Sequence, residues 1–164
     1  MASHSRRDAA LDYPIDAIRH RYQQAFNVPA SIASLREREL KRYLFIAAKN
    51  PDLTLPIAEV LDPLWHEFLL DTRCYLAFCR QMGADFVHHV PNTERRSAGE
   101  MTDRYRKLVA LYEQEFDEPP PRDVWPQLSQ GVMRMGNCDP SIDLANCDAS
   151  RVRIDPADGD ATDR

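Results

Sequence analysis

The sequence predicts an all-α fold, a small helical bundle of about four helices with disordered N- and C-terminal tails. Three observations lead there. Apolar residues recur at spacings of three and four in separate segments of the chain. Proline, glycine and capping residues punctuate those segments. Both ends are polar and hold no sustained period. Of the 164 residues, 1–11 read as a disordered arm, 12–127 as one helical domain and 128–164 as a poorly structured tail.

The first helix is expected from Tyr13, with Pro14 in the first turn, where a missing N–H is harmless. Ile15, Ile18, Tyr22 and Phe26 form its apolar stripe, and Asn27 and Pro29 close it. A second helix spans 31–50. Ser34 and Glu37 match a capping box at its start. Leu40, Tyr43, Leu44 and Ala47 line its apolar face, and Pro51 stops it. Residues 51–55 read as a turn, and Pro56 as the start of a short helix.

Residues 56–82 are the most apolar stretch. Pro63 either kinks a helix or opens a new one, with Asp62 as its N-cap. The stripe from Leu64 and Trp65 through Phe68, Tyr75 and Cys79 to Met82 is wide, as in a helix covered on more than one side. Gly83 is a natural stop. Pro91 biases His88-His89-Val90 toward an extended connector. The last helix runs from about Glu100 to Phe116. Beyond the stiff Pro119-Pro120-Pro121 run, Val124 and Trp125 are expected to dock back onto the bundle.

Composition narrows the function classes. Net charge is −5 and no long basic run occurs, which disfavours nucleic acid. No apolar stretch reaches the roughly 18 residues of a membrane span, so no membrane role is expected. The N-terminus lacks the apolar core of a secretory signal. The four cysteines, Cys74, Cys79, Cys138 and Cys147, show no CxxC spacing. A cytoplasmic protein with free thiols is the expectation. Cys79 lies in the apolar stripe and reads as a small hydrophobe. Cys74 lies toward the polar side.

Three segments carry a family resemblance: Leu44-Phe45-Ile46-Ala47-Ala48-Lys49-Asn50-Pro51-Asp52, Leu61-Asp62-Pro63-Leu64-Trp65-His66, and Thr72, Tyr75, Cys79 and Gly83 with His88-His89-Val90-Pro91. Leu111-Tyr112-Glu113-Gln114-Glu115-Phe116, the following prolines and Trp125 continue it. Together they resemble the glycine-rich domain-containing protein-like family, an uncharacterised one. The resemblance implies a fold and no reaction. Phe68 stands where many relatives carry a further histidine, and Pro63 where they carry a charged residue.

One constellation has the chemistry of a site. Asp62, His66, His88 and His89 include three of the five histidines. Imidazole nitrogen and carboxylate oxygen are ligands for a divalent transition metal such as zinc. Asp62 and His66 are one helical turn apart, and the connector bearing His88 and His89 could fold back toward them. Against this, one helical wheel continued from Asp62 to Cys79 puts His66 off the apolar stripe, among Arg73 and Arg80. In that reading His88 and His89 only pin the connector. No catalytic signature occurs. The expectation is therefore a non-enzymatic protein-interaction module with an unknown protein partner, the alternative being a metal-binding protein that uses His66, His88 and His89.

Overall fold

A computed structural model describes residues 5–91, 98–127 and 144–150. The protein is mostly helical, with six helices among the described residues rather than about four. They are α1 (Arg6–Leu11), α2 (Asp16–Phe26), α3 (Ala30–Lys49), α4 (Asp62–Leu70), α5 (Thr72–Gln81) and α6 (Ala98–Phe116). A three-stranded sheet of short strands accompanies them: β1 (Leu55–Ala58), β2 (His88–Pro91) and β3 (Leu144–Ser150), in the order β1-β3-β2. No described helix is long and apolar enough to cross a membrane.

The first additional helix lies where a loose arm was expected. Ser5 caps α1 by accepting the Asp8 N–H at 3.2 Å. Ala10 is fully buried, and the Arg7 guanidinium donates to the Glu115 carbonyl at 3.0 Å. Six residues are too few for an apolar period to show, so these tertiary contacts decide the helix.

The second additional helix comes from a break in the apolar stripe of residues 64–82. Asp71 departs from helical geometry (φ −93°, ψ 74°), ending α4. Its carboxylate then accepts the Cys74 N–H at 3.2 Å, capping α5. At the other end of α4, Leu61 is the N-cap and Asp62 the first helical residue. Asp62 is therefore not the N-cap residue, and its carboxylate lies against His89.

Two other starts differ from expectation. Helix α2 begins at Asp16, beyond Pro14. Helix α3 begins at Ala30 behind Pro29, so Ser34 and Glu37 lie within it. Glu37 makes no capping box. It pairs with Lys41 at 2.6 Å and Arg19 at 2.7 Å, tying α3 to α2. The stops hold: Asn27 closes α2 in the left-handed conformation (φ 51°), and Lys49 ends α3.

Strand β1 occupies the segment expected to begin a short helix at Pro56. All four of its residues are buried, and the Tyr43 hydroxyl donates to the Leu55 carbonyl at 2.7 Å, fastening it to α3. Strand β2 is the expected extended connector. Both pair antiparallel with β3: Leu55 opposes Ala149 on one side, and His89 opposes Ala149 on the other. Pro56 and Pro91 thus sit in the two outer strands, where a missing N–H need not break a ladder. The whole of β3, Leu144–Ser150, lies in the tail expected to be poorly structured, and its backbone is ordered by pairing on both edges. The rest of that tail's predicted disorder, and Cys138, lie outside the described residues.

The core gathers Ile18 and Tyr22 of α2, Leu40, Tyr43 and Leu44 of α3, Trp65 and Phe68 of α4, Tyr75, Phe78 and Cys79 of α5, and Tyr105, Leu108 and Tyr112 of α6. Val124 and Trp125 dock back as expected. Inside the core, the fully buried Glu39 accepts from the Tyr112 hydroxyl at 2.8 Å and the Trp125 indole at 3.1 Å.

Candidate metal centre

Two elements build the site. Pro63 at the first turn of α4 starts the helix one residue after Leu61, which sets Asp62 and His66 on one face. The other face of α4 buries Leu64, Trp65 and Phe68, so the polar pair looks outward from a well-anchored helix. Strand β2 then passes this face and lays His89 against it.

Three of the four expected ligands meet. The His89 Nε2 lies 2.7 Å from Asp62 Oδ1, and the His66 Nδ1 lies 3.6 Å from Asp62 Oδ2. The two imidazoles are 4.4 Å apart between ring centroids, inclined at 45°. One ligand atom from each of Asp62, His66 and His89 falls within 4.8 Å of the others. His89 is 8% exposed, Asp62 18% and His66 55%, so the cluster grades from a buried floor to an open mouth.

His88 does not join them. Neighbouring side chains in a strand point to opposite faces, and His88 packs on Phe86 with ring centroids 4.7 Å apart. Cys79 is also elsewhere, fully buried among aromatic rings, and burial pushes its thiol up from the ordinary value. Cys74 is half-buried, with its sulfur 4.0 Å from the Tyr13 hydroxyl. Burial, the largest influence on it, pushes that thiol up as well.

The separation of His66 from Asp62 is too great for a strong hydrogen bond. Tetrahedral ligands about 2.0–2.1 Å from a zinc ion lie about 3.3 Å from one another. The Asp62–His89 contact is shorter than that and the Asp62–His66 contact slightly longer. The His66 side chain, 55% exposed, has room to turn toward an ion shared with Asp62 and His89.

The break at Asp71 also removes the main objection read from the sequence. Arg73 and Arg80 belong to α5, whose phase is reset relative to α4. A single wheel from Asp62 to Cys79 therefore misplaces them around His66. The sequence contained a clue, because Asp71 is an N-cap residue type inside an apolar stripe.

Behind the three clustered side chains stands a polar chain that residue spacing did not reveal. Trp65 Nε1 donates to the Tyr75 hydroxyl at 3.1 Å, and that hydroxyl donates to the Val87 carbonyl at 2.6 Å. Trp65 also meets the His89 ring edge-on, with centroids 4.4 Å apart. Burial holds the Tyr75 phenol far above its ordinary value, so it remains a hydrogen donor.

A family model, UCP032817-like, matches residues 13–115. The chain belongs to the UCP032817-like family. That match replaces the resemblance to glycine-rich domain-containing proteins, which rested on scattered Trp-His, His-His and proline motifs. The matched span contains α2 through nearly all of α6 and every residue of the Asp62–His66–His89 cluster. No curated protein and no solved structure matches the chain.

Proposed function

We propose that this protein binds one divalent transition metal ion, zinc or an ion of similar preference, through Asp62, His66 and His89. The observation that carries the proposal is the convergence of three donor atoms within 4.8 Å from two separate elements. Two imidazoles and one carboxylate suit such an ion. The ion would join β2 to α4 and thereby fix the connector between α5 and α6. Three protein ligands leave room for water or a partner's donor group on the exposed His66 side.

The test is metal content and chelator sensitivity. Protein purified without an affinity tag is expected to carry close to one equivalent of metal. Chelation is expected to lower the melting temperature, because an ion bound to the native state at 100 times its Kd adds about 2.7 kcal/mol. Asp62→Asn, His66→Ala and His89→Ala should each lose the metal and the chelator response, while His88→Ala should keep both. Absence of metal after zinc titration, with the same melting temperature with and without chelator, would sink the proposal. It would leave Asp62 and His89 as a plain hydrogen-bonded pair that pins β2 to α4.

A further inference from the structure

We infer that Tyr75 is a positioning residue for the metal centre, acting through Trp65 and Val87 on the strand that carries His89; this rests on the metal reading above. All three ligands come from α4 and β2, which meet only through the tertiary fold. Tyr75 belongs to neither element. It sits on α5 and reaches both: it receives the Trp65 indole N–H of α4 and donates to the carbonyl of Val87, the residue just before β2.

The geometry makes this bridge directional. Trp65 precedes His66 in α4, and its ring edge lies against the His89 ring. Val87 is two residues before His89, at the point where the chain enters the strand. The Phe86 ring rests against the Tyr75 ring at 5.2 Å and 74°, steadying the same turn. Trp65 and Tyr75 are fully inaccessible and Val87 nearly so, and no water competes for these bonds. Removing the hydroxyl would leave the Val87 carbonyl and the Trp65 N–H without that partner. The turn would then lose its tie to α5 through Tyr75, and the setting of His89 at the start of β2 would loosen. Outer residues that orient metal ligands typically contribute about 10–100-fold to affinity.

Titration with Co²⁺ tests this. Its visible absorption reports coordination geometry as well as binding. Tyr75→Phe is compared with Tyr105→Phe, which deletes another phenol bonded to a backbone carbonyl, that of Pro126 at 2.6 Å, but on α6. The expected result is a roughly 10–100-fold weaker Co²⁺ affinity and an altered spectrum for Tyr75→Phe, with wild-type values for Tyr105→Phe. Should Tyr75→Phe fail to fold, Trp65→Phe removes the other bond of the chain and is expected to alter the spectrum in the same direction. If the wild type binds Co²⁺ and Tyr75→Phe and Trp65→Phe bind it with unchanged affinity and spectrum, the positioning role is overturned and the metal site stands. If the wild type takes up no Co²⁺, the metal reading itself has failed.

Discussion

Glu39 is a fully buried carboxyl side chain on α3. Its carboxylate holds Tyr112 of α6 and Trp125 of the returning segment, with the Arg38 guanidinium at 3.0 Å and Arg42 at 3.5 Å. Taking one partner out of such a group strands the others in a low-dielectric interior. Glu39→Ala is therefore expected to cost about 3–5 kcal/mol in chemical denaturation. A loss below about 1 kcal/mol would mean that water reaches the carboxylate and the network contributes little. Trp65→Ala is expected to cost about 3–5 kcal/mol by the large-to-small rule, because its side chain is wholly enclosed. Cys79→Ser places a hydroxyl among the rings of the core and is expected to cost about 1–3 kcal/mol. Trp65, Tyr75 and Cys79 were legible as core residues because apolar side chains repeating at helical spacing have few other places to go. Glu39 was not, because a glutamate in the charged run Arg36-Glu37-Arg38-Glu39 looks in one dimension like part of a solvated face.

Among elements, the long helices and their stops could be read directly, as could the return of Trp125. The short elements could not. Strand β1 has four residues and α1 six, and neither length allows a period to declare itself. Their conformation is imposed by partners distant in sequence: Tyr43 for β1, and Glu115 for α1. The Asp62–His66–His89 cluster was legible as residue types and as the Asp62–His66 turn. The choice between His88 and His89 was not, because strand register depends on which face of β2 meets α4. The turn just after α5 passes through Gly83, whose φ of 80° is left-handed. A Cβ there would lie 2.6 Å from the Arg6 Nη1 of α1, the mobile end of a long side chain, so the backbone angle dominates. Gly83→Ala is expected to cost about 1–2 kcal/mol, read as a shift in urea midpoint. An unchanged midpoint would mean that the turn after α5 relaxes at no expense.

Across the whole molecule, three buried phenols set the response to alkali. Burial is the leading cause that raises Tyr75, Tyr105 and Tyr112 above their ordinary value, with Glu39 adding to it at Tyr112. In the unfolded chain a phenol ionises near pH 10, whereas the folded chain holds these three neutral. Their contribution to stability is complete below about pH 10 and is lost as pH rises toward the folded-state values, at up to about 1.4 kcal/mol per pH unit for each group. The expected outcome is a steep fall in urea midpoint above about pH 10, with phenolate absorbance rising together with loss of helical circular dichroism. Gradual ionisation near pH 10 with the helices intact would place these rings in water.

The single-residue break at Asp71 has one more consequence, for how copies of the chain share structure. Asp71 folds α4 and α5 against each other, and a helix-favouring residue there would let them run on as one rod. A rod of that kind carries α5 away from its own core, and only a second copy could supply the contacts it leaves. Hinges this short are where exchange of identical segments begins. Asp71→Ala is therefore expected to yield a reciprocal dimer, seen in light scattering as twice the mass of the wild-type species and slow to revert on dilution. A variant that keeps the wild-type mass and merely melts earlier would show that Asp71 caps α5 and does not hold the two helices apart.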